Sequence, residues 1–162
     1  MSDDDLAELE GRDGLRVHLR RARAGDLPAL VRLMADDGIS AGRESTDLAP
    51  YTRAFARIDA EPAQLLVVGD VDGEPVCTLQ LTVIPGLARG GALRGQVEAV
   101  RVRSDLRSRG IGAELLRWAA GELRSRGCAV AQLTTDKRRH DAHRFYARLG
   151  WANSHEGFKL EL

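Results

Sequence analysis

Val97-Glu98-Ala99-Val100-Arg101-Val102-Arg103-Ser104-Asp105-Leu106-Arg107-Ser108-Arg109-Gly110-Ile111-Gly112 is the stretch from which the fold of this chain can be read. Val97, Val100 and Val102 stand among polar neighbours as a β-branched run, which reads as a strand. Ser104-Asp105-Leu106 then turns the chain into Arg107-Ser108-Arg109-Gly110-Ile111-Gly112, and a helical pattern follows at once. A strand, a glycine-containing turn and a helix start together form an anion site. The first helical N–H groups have no intrahelical partner, and the positive end of the helix dipole faces the turn. Gly110 and Gly112 lack a Cβ, so a phosphate can approach the backbone there.

Two familiar phosphate motifs fail on spacing. A Walker loop needs Gly-Lys-Ser/Thr, and Gly112 is followed by Ala113-Glu114. A dinucleotide fingerprint needs a third glycine where Leu115 stands. The pattern present is Arg-x-x-Gly-x-Gly.

Working outward, the apolar positions Ile111, Leu115, Leu116, Ala119 and Leu123 predict an amphipathic helix that Gly127 ends. Cys128-Ala129-Val130-Ala131-Gln132-Leu133 reads as a short central strand, and a helix bearing Ala142, Phe145, Tyr146 and Leu149 ends at Gly150. Upstream, Leu15–Arg20 alternates as a strand. Asp26 caps a helix with Pro28 in its first turn, with Leu27, Leu30, Val31 and Met34 along one face. A second helix spans Pro50–Ala60, and Gln64–Asp70 with Pro75–Ile84 forms a hairpin turning at Asp72-Gly73. Phe158–Leu162 alternates as a last strand. Strands in a run followed by alternating strands and helices predict an α/β (α+β) fold, a mixed sheet with helices on its faces.

The bounds agree. A chain of 162 residues with 43% hydrophobic and 30% charged residues suits one globular domain. Residues 1–12 are acidic and aperiodic and read as a flexible N-terminal arm, leaving 13–162 as a single domain. Lys+Arg and Asp+Glu are both 24, so no chain-wide charge draws the protein to nucleic acid or membrane. Cys77 and Cys128 are too far apart for a metal spacing and read as free thiols of a cytoplasmic protein. No signal peptide or long apolar run is visible.

The second motif is Ala142-His143-Arg144-Phe145-Tyr146-Ala147-Arg148-Leu149-Gly150-Trp151. Together with Arg107–Gly112 it resembles the GNAT acetyltransferases, which share Arg-x-x-Gly-x-Gly and Ala-x-x-Phe-Tyr-x-x-Leu-Gly-Phe, Trp151 taking the last aromatic place. Arg139-His140-Asp141-Ala142-His143-Arg144-Phe145-Tyr146 is similar to a subset reading Arg-x-Asp-Ala-His-Arg-Phe-Tyr; elsewhere in the family an asparagine often stands where Arg139 does. The resemblance implies a GNAT-like acyl-CoA N-acyltransferase fold, acetyl-CoA as cosubstrate, no metal, and direct transfer to a bound primary amine in a ternary complex. A homodimer is compatible with it.

The resemblance also implies roles. Arg107 and the Ser108, Arg109, Gly110, Ile111 and Gly112 loop would meet the pyrophosphate, with Arg139 a further cation near the phosphates. Val100, Arg101 and Val102 would pair their backbone with the pantetheine arm. The Val100 amide would be the oxyanion donor, worth ~3 kcal/mol when such a donor is lost. Tyr146 would protonate the departing thiolate; a core aromatic with a satisfied hydroxyl has the same spacing. Glu98 would accept the amine proton, since an alkylammonium with a pKa near ~10.4 must be deprotonated before it attacks; a solvated strand carboxylate is the plainer alternative. Asp36, Asp37 and Glu44 make an acidic loop suited to a cationic acceptor. The expected acceptor is a small molecule; a peptide or protein amine, or a non-catalytic acyl-CoA sensor, are the other readings.

Overall fold

The computed structural model describes residues 4–36, 42 and 44–162, which fall into two compact units, 1–132 and 133–162. The first carries a six-stranded sheet in chain order: β1 (Asp5–Glu10), β2 (Arg16–Arg21), β3 (Gln64–Val71), β4 (Glu74–Ile84), β5 (Leu93–Val102) and β6 (Cys128–Leu133). Neighbours from β1 to β5 run antiparallel. β6 is reached from β5 through a helix, the strand–helix–strand connection that makes the sheet mixed.

Side-chain alternation divides the sheet into two apolar faces. Val17, Leu19, Leu65, Val67, Leu79, Leu81 and Val97 are buried and share one face by register. That face receives α4 (Ile111–Ser125) through Ile111, Leu115, Leu116, Ala119 and Leu123. Gly95 lets the helix approach, since a Cβ there would lie 2.5 Å from the Leu123 side chain. On the opposite face Leu66 and Val68 cluster with Ala22, Leu30 and Leu33, joined by Met34, Phe55 and Ile58 from α1 (Leu27–Ala35) and α2 (Ala49–Asp59). Helices therefore cover both faces, as the element order predicts. The β3–β4 turn has Asp72 at φ 51° and Gly73 at φ 81°, the two left-handed residues of a tight hairpin. A single turn, α3 (Ala88–Gly91), interrupted by left-handed Arg89 and Gly90, joins β4 to β5.

Four expectations are corrected. Cys128–Leu133, read as a central strand, is the last in the sheet order, with β5 its one neighbour among the described residues. Residues 5–10, read as part of a flexible arm, form β1. This strand is acidic because its partner is basic: Glu10 faces Arg16, Glu8 faces His18 and Asp5 faces Arg20, with Leu9 buried beside Val17. His18 and Asp5 lie 3.2 Å apart. Asp26 stands at the start of α1 but its side chain caps nothing there. Instead its carboxylate accepts Arg20 through both terminal nitrogens at 2.8 and 2.9 Å, and the Arg23 amide at 2.7 Å. Arg20 also donates Nε to the buried Asp70 at 2.9 Å, so β2, β3 and the start of α1 are tied by one guanidinium. Finally, residues 151–162 adopt no strand, and Phe158, Leu160 and Leu162 are exposed.

The second unit holds α5 (His140–Arg148). It ends in a Schellman motif: Trp151 N donates to Tyr146 O at 3.1 Å and Gly150 N to Ala147 O at 3.0 Å, with Gly150 at φ 86°. Leu149-Gly150-Trp151 in the second motif is thus a helix stop written in sequence.

Candidate active site

The strand that leads into the phosphate-type loop is not regular. Gln80 faces Glu98 and Thr78 faces Arg101, so Ala99 and Val100 together oppose Leu79. Two residues against one is a β-bulge, and Ala99 sits in the left-handed region at φ 51° to make it. A non-glycine residue held there is strained, which is a feature of functional sites. A bulge takes backbone groups of the extra residue out of the ladder. It also brings Glu98 and Arg101, three residues apart, onto the same sheet face. Glu98 is exposed, while Val100, Arg101 and Val102 are half-buried. Arg101 donates a terminal nitrogen to Val100 O at 2.9 Å, holding its side chain along the strand.

The same face carries a row of fixed polar side chains beside Glu98. Gln64 Oε1 accepts from Gln80 Nε2 at 2.9 Å and Thr82 Oγ1 at 2.8 Å, and Gln96 Oε1 accepts from Gln132 Nε2 at 2.8 Å. Sequence reading missed this row. Its signal was present in the polar residues at alternate positions of β4 (Thr78, Gln80, Thr82) and β5 (Gln96, Glu98), which stand on one face once the register is known.

Beyond Val102 the chain passes through a 3-10 turn, Ser104–Leu106, pinned by the buried Leu106. Arg103 pairs with Asp105 at 2.7 Å and Glu74 at 3.0 Å, and Asp105 is held below its ordinary carboxylate range chiefly by Arg103. Ser108 (φ 66°) and Gly110 (φ 90°) are both left-handed, and Gly110 is the N-cap of α4. Its carbonyl accepts from Ala113 N at 3.0 Å and Glu114 N at 3.1 Å. The amides just ahead of these lie at the positive end of a 15-residue helix with no intrahelical acceptor. Ile111, buried in the core, anchors the loop, and Gly112 follows in the first turn.

Arg107 has a different engagement from the one its motif suggests. It donates Nε to Val102 O at 3.1 Å, and a terminal nitrogen contacts the Asp36 carbonyl and, at 3.3 Å, its carboxylate. Asp36 also accepts the Ser104 amide at 2.8 Å. Asp36 therefore staples the end of α1 to the loop. Glu44, the other described carboxylate of the acidic loop, accepts the Tyr51 hydroxyl at 2.7 Å. Asp37 lies outside the described residues. Sequence reading gave these carboxylates to the acceptor; two of them are occupied within the fold.

The turn between β1 and β2 was also unforeseen. Arg12 N donates to Arg109 O at 2.8 Å, and Arg109 Nε is 3.9 Å from Asp13. Gly11 permits this approach: a Cβ there would lie 3.3 Å from Arg109 O and 3.6 Å from Ile111. Between this turn and the first turns of α4 lies a cleft of about 480 Å³ lined by Glu10, Gly11, Arg12, Gly110, Ala113, Glu114 and Arg117.

In the second unit, Tyr146 is half-buried between Phe145 and Trp151, with ring centroids 5.5 and 6.4 Å away. The preceding loop is organised by Asp136, which accepts Arg138 N at 2.9 Å and two guanidinium nitrogens at 3.0 and 2.8 Å. Arg138 holds that carboxyl well below its ordinary range. Arg139, at the N-cap of α5, donates its amide to Asp136 O at 3.0 Å, and His143 Nε2 meets the same carbonyl at 3.0 Å. The histidine is thereby occupied.

Both thiols are free. Cys77 is enclosed in β4, where burial pushes it up to about 12; burial also raises Cys128. Neither is a thiolate near neutral pH, as a nucleophile would need to be.

The sequence model of the Acetyltransferase (GNAT) family matches residues 28–151. Over 68 residues, 42% of this chain, the sequence is 41% identical to an aminoalkylphosphonate N-acetyltransferase of Salmonella typhimurium, and the match spans 44% of that enzyme's length. Among solved structures, a transcriptional regulator from Bacillus halodurans C-125 is similar with a TM-score of 0.87 and 41% identity, covering 90% of this chain and 99% of that one. A candidate acetyltransferase from Agrobacterium tumefaciens str. C58 superposes with a TM-score of 0.80 at 27% identity, covering 89% and 99%.

Proposed function

Because the chain is a member of the GNAT family of acetyltransferases, we propose that it transfers the acetyl group of acetyl-CoA to the primary amine of a small molecule. The observation that carries this reading is the bulged strand at Ala99–Val100 running directly into a left-handed glycine at the start of a long helix. One part breaks the β4–β5 ladder beside a carboxylate; the other presents amides to an anion.

The residues fit the cosubstrate's chemistry. Amides at the N-terminus of α4, a glycine at the point of closest approach and nearby guanidinium groups suit a pyrophosphate. When bound, acetyl-CoA supplies an acyl carbon activated as a thioester. Glu98 takes the proton from the attacking ammonium, so that a neutral amine is presented. The Val100 amide donates to the carbonyl oxygen as negative charge grows there. The Tyr146 hydroxyl returns a proton to the departing thiolate. With both thiols protonated and outside the loop, the amine attacks directly rather than through an acyl-cysteine.

The acceptor class is supported by the Salmonella relative, whose name makes aminoalkylphosphonates the first compounds to test. The fixed glutamine row beside Glu98 offers hydrogen bonds to a polar acceptor. The Bacillus structure favours a second reading, a regulatory module that binds an acyl-CoA without turning it over.

Calorimetry with acetyl-CoA, followed by thiol release over a panel of amines, separates these. Binding with turnover establishes the transferase, and Tyr146→Phe should then lower kcat with the affinity for acetyl-CoA unchanged. Binding without turnover on any amine, and a Tyr146→Phe variant indistinguishable from wild type, would support the regulatory module. No binding refutes both.

A further inference from the structure

Resting on the acetyl-CoA reading above, we infer that Arg12, in the β1–β2 turn, is a ligand for the phosphates of coenzyme A. It comes from outside residues 28–151, the segment that matches the family, so no motif points to it.

The backbone fixes where Arg12 stands. Its amide donates to Arg109 O at 2.8 Å, in the middle of the loop that leads to α4. Its side chain runs past the N-cap: a Cβ built on Gly110 would lie 3.2 Å from Arg12 Cγ and 3.7 Å from its Nε. The Arg12 side chain thus packs over the glycine at φ 90°, which brings its guanidinium to the start of α4. The two flank one cleft at the positive end of α4.

The charges around the loop select Arg12 among its neighbours. Arg103 is taken by Asp105 and Glu74, Arg107 by Asp36 and Val102 O, and Arg109 faces Asp13. Arg117, across the cleft, pairs with Glu114. Among the described residues, no carboxylate forms an ion pair with Arg12, and the side chain is exposed. Glu10 also lines the cleft, and it stands opposite Arg16 in the β1–β2 ladder. An unpaired guanidinium beside unpartnered helix amides is the donor set that phosphoryl oxygens take, with a planar fork able to hold two of them.

Coenzyme A presents this chemistry twice, in its pyrophosphate and its 3′-phosphate. The test is calorimetry of the full chain, wild type, Arg12→Ala and Arg12→Lys, with CoA and with 3′-dephospho-CoA, at low and high salt. We expect Arg12→Ala to weaken CoA by about tenfold or more, and the gap to narrow at high salt as the charge is screened. Arg12→Lys should recover part of the loss. An equal loss for both ligands assigns the pyrophosphate; a loss confined to CoA assigns the 3′-phosphate. Wild-type protein that binds and Arg12→Ala protein that binds equally well would overturn the inference alone. So would a loss that is independent of salt and equal in Arg12→Lys, which marks a structural role. Wild-type protein that binds neither CoA nor acetyl-CoA would overturn the functional reading and this inference with it.

Discussion

At the scale of single residues, backbone conformation decides most of the site. Gly110 at φ 90° cannot carry a side chain without strain, roughly 1–2 kcal/mol for an L-residue in that region. Gly110→Asp adds a carboxylate against Arg12 and ahead of the helix amides. We expect a folded protein, slightly less stable, whose affinity for acetyl-CoA is lost; calorimetry beside a melting curve checks both parts. Glu98→Gln keeps the shape and removes the base, so the pH–rate profile should move to higher pH, where the amine deprotonates unaided. An unchanged profile would leave Glu98 as a solvated strand residue. Some residue-level facts were legible beforehand: Gly110 was marked by its motif, and Gly150 by its place after an apolar helix face. Ala99 was not. Nothing about an alanine announces a left-handed backbone, because the strain is imposed by the pairing of β4 with β5.

At the scale of elements, periodicity was informative where one face is apolar and silent where the partner supplies the reason. α4 was readable from Ile111, Leu115, Leu116, Ala119 and Leu123 because all five are buried on one side. β1 was not, since Asp5–Glu10 looks like a solvated acidic run until the basic strand Arg16–Arg21 is set beside it. Phe158–Leu162 is the opposite case, alternation without a partner, and it forms no strand. The contact between α4 and β5 is close enough to test: Gly95→Ala would force its Cβ to within 2.5 Å of the Leu123 side chain. We expect a loss of about 1–3 kcal/mol from overpacking, measurable by urea denaturation, and recovered in part by Leu123→Val.

At the scale of the whole molecule, stability is tied to carboxylates that arginines hold ionised. Burial pushes Asp26 up, but Arg20, the Arg23 amide and Arg23 together leave it below its ordinary 3.8. Arg103 and Arg138 lower Asp105 and Asp136 in the same direction. A carboxyl whose folded pKa is depressed contributes stability that is present above its unfolded value and lost as pH falls through the folded one. Thermal stability should therefore stay level as the pH is lowered from neutral towards 4.5 or so and decline below about 4. High salt should weaken the exposed Arg103–Asp105 and Arg138–Asp136 pairs more than Arg20–Asp26. A steep decline between pH 7 and 5 would contradict this. The bulge has a consequence at the same scale. Removing Ala99 from the chain would leave Val97 opposite Leu81, Glu98 opposite Gln80, Val100 opposite Leu79 and Arg101 opposite Thr78, an unbroken alternation of apolar and polar pairs. The shortened protein should be more stable than its parent in urea denaturation, by about the 1–3 kcal/mol that such strain stores, and should have no transferase activity. By that measure Ala99 is surplus to folding, and a lineage selected for endurance alone would be expected to delete it.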